Sequence, residues 1–114
     1  MRITVAICIG MAALMATACS SSTTVANSCG SSGANANINT TSANTFSPAS
    51  ATIAHGQSVC WQSGSTLHTV TADGGAFNSD LPIGQIFIFV FPTAGTYPYH
   101  CTKHAGMTGT ITVT

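Results

Sequence analysis

The sequence predicts an all-β fold, an antiparallel β-sandwich or small barrel, and three observations predict it. From about Ala36 onward, short segments rich in Val, Ile, Thr and aromatic residues alternate with Gly, Pro and Asn/Asp punctuation. No window carries the apolar period of an amphipathic helix. The 114 residues fit one domain and leave no room for a second core.

In chain order, strands are expected at 36–41 (ANINTT), 51–54 (ATIA) and 57–63 (QSVCWQS), the last two separated by the turn His55-Gly56. A fourth, 67–72 (LHTVTA), starts after the break at Ser63-Gly64 and ends at Asp73-Gly74-Gly75. The segment 86–92 (IFIFVFP) is apolar on both faces. Strand alternation puts Phe87, Phe89 and Phe91 on one side and Ile86, Ile88 and Val90 on the other. If the phenylalanines face the core, the aliphatic side is either covered by the tether or a loop, or is a contact surface for another protein. Thr93-Ala94-Gly95 then turns the chain into 96–101 (TYPYHC), where Tyr97, Tyr99 and Cys101 share a face opposite Pro98 and His100. The last strand is 109–114 (GTITVT).

Residues 1–18, MRITVAICIGMAALMATA, carry one positive charge and an apolar stretch shorter than the ~20 residues of a membrane span, followed by small residues. They read as an export signal. Ala16-Thr17-Ala18 suits ordinary signal peptidase, whereas the sequence ATAC before a run of serines resembles a lipoprotein processing site. The reading adopted is lipidation at Cys19, which anchors an exported, periplasmic or cell-surface protein to a membrane; the alternative is a soluble exported protein. Residues 19–35 are small and polar, a flexible tether reaching on the order of 20 Å. The domain proper is 36–114.

The only formal charges are Arg2, Lys103, Asp73 and Asp80. So few charges supply no basic stripe for a nucleic-acid backbone and no acidic tail.

Cys101, His104 and Met107 stand three positions apart in one short loop, CTKHAGM. Thiolate and thioether are soft ligands and imidazole is intermediate, a mixture that favours copper over magnesium, calcium or manganese. Gly106 and Gly109 give the loop the backbone freedom its tight path needs. A trigonal site with two imidazoles, a thiolate and a long axial thioether needs one more nitrogen. His68, at the start of a strand, is the best candidate, because a Greek-key sandwich brings it beside the 101–107 loop. His55 lies in a turn, and His100 points to the face opposite Cys101 if the strand is regular.

The pattern resembles the small blue copper proteins, the cupredoxins of plastocyanin and azurin type, and the loop spacing is closest to that of amicyanin. The resemblance extends through Phe46-Ser-Pro48, Val59-Cys-Trp61, His68-Thr-Val70, the run from Phe91 to Tyr99, and Gly109-Thr-Ile-Thr-Val113. It implies a Greek-key β-sandwich of the cupredoxin type holding one type 1 copper. The ligands it implies are His68 Nδ1, Cys101 Sγ and His104 Nδ1, with Met107 Sδ as the weak axial one. One departure stands out. The family commonly has Asn after the first histidine, where its side chain ties the two ligand segments together; here Thr69 offers a hydroxyl without the amide's reach.

With Cys8 removed alongside the signal and Cys19 at the new terminus, Cys29 and Cys60 remain. In an exported protein two such thiols are expected to pair. Cys60 lies between Val59 and Trp61, two core candidates, so its own side chain faces away from the core. The pairing would pin the tether's end to the sandwich; the alternative is a buried Cys60 and a free Cys29.

A copper held by four protein ligands has no open position for substrate, so the expected protein is not an enzyme. The resemblance implies a carrier of single electrons between a donor and an acceptor that dock near His104, within an apolar rim assigned to Leu67, Pro82, Ile83, Ala105 and Met107. With little charge, docking is expected to be mainly apolar and weakly salt dependent. A copper-binding protein for homeostasis or delivery is the alternative, and a non-redox interaction module a third reading.

Overall fold

The computed structural model describes residues 28–114. The predicted export signal, Cys19 and the tether as far as residue 27 lie outside the described residues.

A 3-10 turn at Cys29–Ser31 precedes nine strands: β1 (Ala36–Thr40), β2 (Phe46–Ser47), β3 (Ser50–Ile53), β4 (Ser58–Gln62), β5 (His68–Ala72), β6 (Asn78–Leu81), β7 (Ile86–Val90), β8 (Gly95–His100) and β9 (Thr108–Val113). They form a four-stranded sheet, β2-β1-β4-β7, packed on a five-stranded sheet, β3-β9-β8-β5-β6. The fold is the expected all-β sandwich of Greek-key, cupredoxin type. It departs from a purely antiparallel arrangement, because β1 pairs parallel with β4 and β3 parallel with β9. The reason lies in the route of the chain. β2 folds back on β1, the chain crosses to the second sheet for β3, and β4 then returns beside β1 pointing the same way.

Each strand predicted from the sequence is present within one or two residues of its expected ends. β2 and β6 were not predicted. β2 is two residues long, and β6 (Asn-Ser-Asp-Leu) lacks the β-branched and aromatic residues that mark a strand. Its place in the sheet comes from pairing with β5 along its whole length, His68 opposite Leu81 through Thr71 opposite Asn78.

The core is aromatic. Trp61 and Tyr99 meet edge to face at 5.4 Å, Tyr99 meets Phe46 at 4.8 Å, and Phe77 packs on Trp61 at 5.5 Å. Such pairings add about 0.5–1.5 kcal/mol each beyond the area they bury. Gly109 stands opposite Tyr99 in the β8–β9 ladder, and a Cβ there would overlap the phenol ring. The absence of a side chain at Gly109 is therefore what lets the ring lie flat against β9.

Burial pushes the Tyr99 phenol up to about 12, partly offset by the Trp61 indole. A raised acid contributes stability fully below its unfolded value, about 10, and loses it as pH rises through the folded one. Urea unfolding curves should accordingly show stability falling between about pH 10 and 12, and the Tyr99→Phe protein should lack that step.

The alternation of β7 is as read from the sequence. Phe87, Phe89 and Phe91 pack against the core, while Ile88 and Val90 on the other side are 40% and 55% exposed. Ile86 on that side is half-buried, and the turn at Cys29–Ser31 lies over Cys60, the neighbour of Ile88, so the exposed part of the face is Ile88 and Val90.

Cys29 and Cys60 form a disulfide, and both are buried. Cys60 points out of the sandwich, as expected from Val59 and Trp61 on its two sides, and Cys29 lies over it. The Cys29 N–H also donates to Gln62 Oε1 at 2.8 Å. The bridge closes a loop of 31 residues in sequence separation, worth about 3–4 kcal/mol by the chain-entropy estimate. Replacing both cysteines by serine should lower the urea midpoint by a corresponding amount. An unchanged midpoint would mean that the turn at residues 29–31 holds without the bond.

Candidate metal centre

One end of the sandwich collects the candidate ligands. β5 starts there with His68, β8 ends there at His100, and the loop 101–107 leads into β9. The β5–β8 register pairs Thr71 with His100 and Ala72 with Tyr99. Carried two residues further, it sets Val70 opposite Cys101 and Thr69 opposite Thr102, which leaves His68 at the strand's start beside the loop.

The loop closes on itself. The Cys101 N–H donates to the Met107 carbonyl at 2.9 Å, and the Met107 N–H to the His104 carbonyl at 3.3 Å. Gly106 makes the turn with φ +80°, a left-handed conformation costly for a side chain. Met107 and Cys101 are buried, and His104 is half-buried.

Cys101 Sγ lies 3.6 Å from His104 Nδ1 and 3.8 Å from His68 Nδ1. The ligand atoms of the three residues all lie within 4.8 Å of one another. A metal with bonds of ~2.3 Å to sulfur and ~2.0 Å to nitrogen, at about 120°, would hold those atoms about 3.7 Å apart. The donor spacing thus fits a single trigonally bound ion. Burial, and then the neighbouring His104, hold the His68 imidazole below its ordinary titration range, which leaves a neutral nitrogen lone pair for a metal near pH 7.

Two backbone N–H groups, of Thr69 and Lys103, each donate to Cys101 Sγ at 3.4 Å. They point at the sulfur where a metal-bound ligand would carry negative charge. The sequence offered no signal for them, since they depend on main-chain placement. The hydroxyl of Thr69 also reaches further than expected. It accepts the Thr102 N–H at 2.8 Å and so supplies the tie that the family's Asn provides.

The other two histidines of the described residues stand apart. His55 is exposed, its Nδ1 3.1 Å from the Thr114 carbonyl. His100 is on the outer face of its strand, 2.6 Å from Asp73 Oδ1. Their separation from Cys101 follows from turn position and strand alternation.

A thiolate, two imidazoles and a thioether at the closed end of a β-sandwich define a small single-copper protein, and His68, Cys101, His104 and Met107 are the group positioned for that copper. No family model matches the chain, and no curated protein matches it by sequence. Among solved structures, a purple cupredoxin from Nitrosopumilus maritimus is 30% identical, with 70% of this chain and 100% of that one covered, at a TM-score of 0.63. The chain belongs to the cupredoxins. A reduced Cu(I) form of an amicyanin variant is 25% identical over 74% of this chain and 85% of that one, at a TM-score of 0.61. A copper-containing nitrite reductase from Thermus scotoductus shares the fold at 21% identity, with 69% of this chain and 22% of that chain covered, at a TM-score of 0.62.

Proposed function

We propose that this cupredoxin carries single electrons between larger redox partners outside the cytoplasm. His68, Cys101 and His104 are its strong copper ligands and Met107 its weak axial one. The observation that carries the reading is the convergence of three donor atoms within 4.8 Å, one from the start of β5 and two from a loop that Met107 closes. Four protein donors leave no open position for a substrate, which favours a carrier over an enzyme.

Bound copper supplies a one-electron couple between Cu(I) and Cu(II). The chain does the rest. The Thr69 and Lys103 N–H groups hold charge on Cys101 Sγ, burial of His68, Cys101 and Met107 keeps water away, and the hydrogen-bonded loop keeps the donors in place.

His104, half-buried at the same end, offers the route outward. Leu67 and Ile83 are 40% and 59% exposed at that end, and Pro82 and Ala105 are exposed. These four make the apolar rim; Met107, assigned to it from the sequence, is buried and belongs to the interior. Lys103 is the only charge in the loop, which supports docking that is mainly apolar and weakly salt dependent. Export by residues 1–18 and a lipid anchor at Cys19 complete the proposal, with 19–35 as tether to the domain at 36–114.

Copper(II) titration followed by visible absorption tests this. An intense thiolate-to-copper band that survives a chelator in excess is the expected result. A band lost at once to the chelator would favour copper delivery, and no copper uptake would leave an interaction module.

A further inference from the structure

The hydroxyl of Thr69 belongs to a longer chain of hydrogen bonds. Its oxygen lies 3.2 Å from Thr71 Oγ1 and 3.3 Å from Thr102 Oγ1, besides accepting the Thr102 N–H. Thr71 Oγ1 in turn donates to Asn78 Oδ1 at 2.9 Å, across to β6. A hydroxyl has one hydrogen to give. With that of Thr71 committed to Asn78, the Thr71 oxygen accepts from Thr69, and the Thr69 lone pairs face Thr102. The chain therefore runs one way: Thr102 N–H to Thr69, Thr69 to Thr71, Thr71 to Asn78.

Its position gives it a role. Val70, between the two threonines, is fully buried toward the core, so Thr69 and Thr71 lie on the back of the five-stranded sheet. Thr69 follows His68 and Thr102 follows Cys101. A bond between these two therefore clamps the segments that deliver the first imidazole and the thiolate, from the side away from the metal.

We propose that Thr69, Thr71 and Asn78 are positioning residues, a one-way hydrogen-bond chain that orients the Thr69 lone pair and thereby clamps the His68 and Cys101 segments for copper retention. The inference rests on the ligand assignment above.

Two readouts test it in the full domain: copper affinity by chelator competition, and hydrogen exchange of the Thr102 amide in the metal-free protein. Thr69→Val should lose about 10-fold or more in affinity, the range for removal of an outer partner of a metal ligand, while Thr69→Ser keeps it. Asn78→Ala, at an exposed site, should give a smaller loss in the same direction. Thr102 exchange should speed up in both Thr69→Val and Asn78→Ala. Because Asn78 acts through Thr69, the double variant should match Thr69→Val alone. Native affinity and native Thr102 protection in Thr69→Val would overturn the proposal, as would losses that add in full. Failure of the native protein to show an intense copper band would overturn the ligand assignment instead, and Thr102 exchange would still decide the clamp.

Discussion

Cys101→Ser should abolish the intense visible absorption of the copper-loaded protein. It should also weaken copper binding by more than the ~10–100-fold typical of losing an outer partner of a ligand. The sulfur sits 3.6 and 3.8 Å from two imidazole nitrogens and accepts two backbone N–H groups. A serine hydroxyl stays protonated near neutral pH, so those donors would face a neutral, hard oxygen where they had held a soft anion. The replacement is smaller and buried, so the fold of the metal-free protein should persist, as circular dichroism would show. An unchanged band after the substitution would remove the thiolate from the site.

The second large effect is expected at Gly109. Substitution by alanine drives a methyl group into the Tyr99 ring, which cannot retreat because Phe46, Trp61 and Phe77 surround it. Overpacking costs about 1–3 kcal/mol in general, and an inflexible aromatic neighbour places this case at the upper end. The melting temperature should fall by roughly 4–8 °C for each kcal/mol in a domain of this size. The disturbance should reach the metal loop as well, since Tyr99 and Cys101 share one face of a strand two residues apart. Adding Tyr99→Leu should recover part of the loss, so that the double variant is less destabilised than the sum of the single ones. Strict additivity would show that the two residues do not press on each other.

What the sequence made legible was local periodicity and donor chemistry. Alternation in β7 and β8 assigned the inner aromatics and separated His100 from Cys101, and the spacing in CTKHAGM marked the loop. The pairing of Cys29 with Cys60 was expected because two thiols remain in an exported chain, and the outward aspect of Cys60 is compatible with it. Long-range placement was less legible. β6 owes its existence to its neighbour rather than to its residues, and Phe77, a core aromatic, lies just before it. The parallel pairings depend on crossovers between sheets, which no short window encodes. Thr69 shows the same limit at the site. Judged by side-chain length it falls short of an amide, yet the backbone separation between β5 and residue 102 is small enough for a hydroxyl to span.

The disulfide also decides where mechanical load enters the domain. β1 is the first strand of the described chain, and a pull on the chain ahead of it would ordinarily peel its ladder away from β4, bond by bond. With Cys29 joined to Cys60, tension applied before residue 29 passes through a covalent bond into β4, an interior strand gripped by β1 on one side and β7 on the other. β1 is bypassed, and the force reaches both ladders of β4 together. Under reducing conditions the same pull would reach β1 first, so the thiol chemistry of one bond sets whether the domain gives way strand by strand or holds.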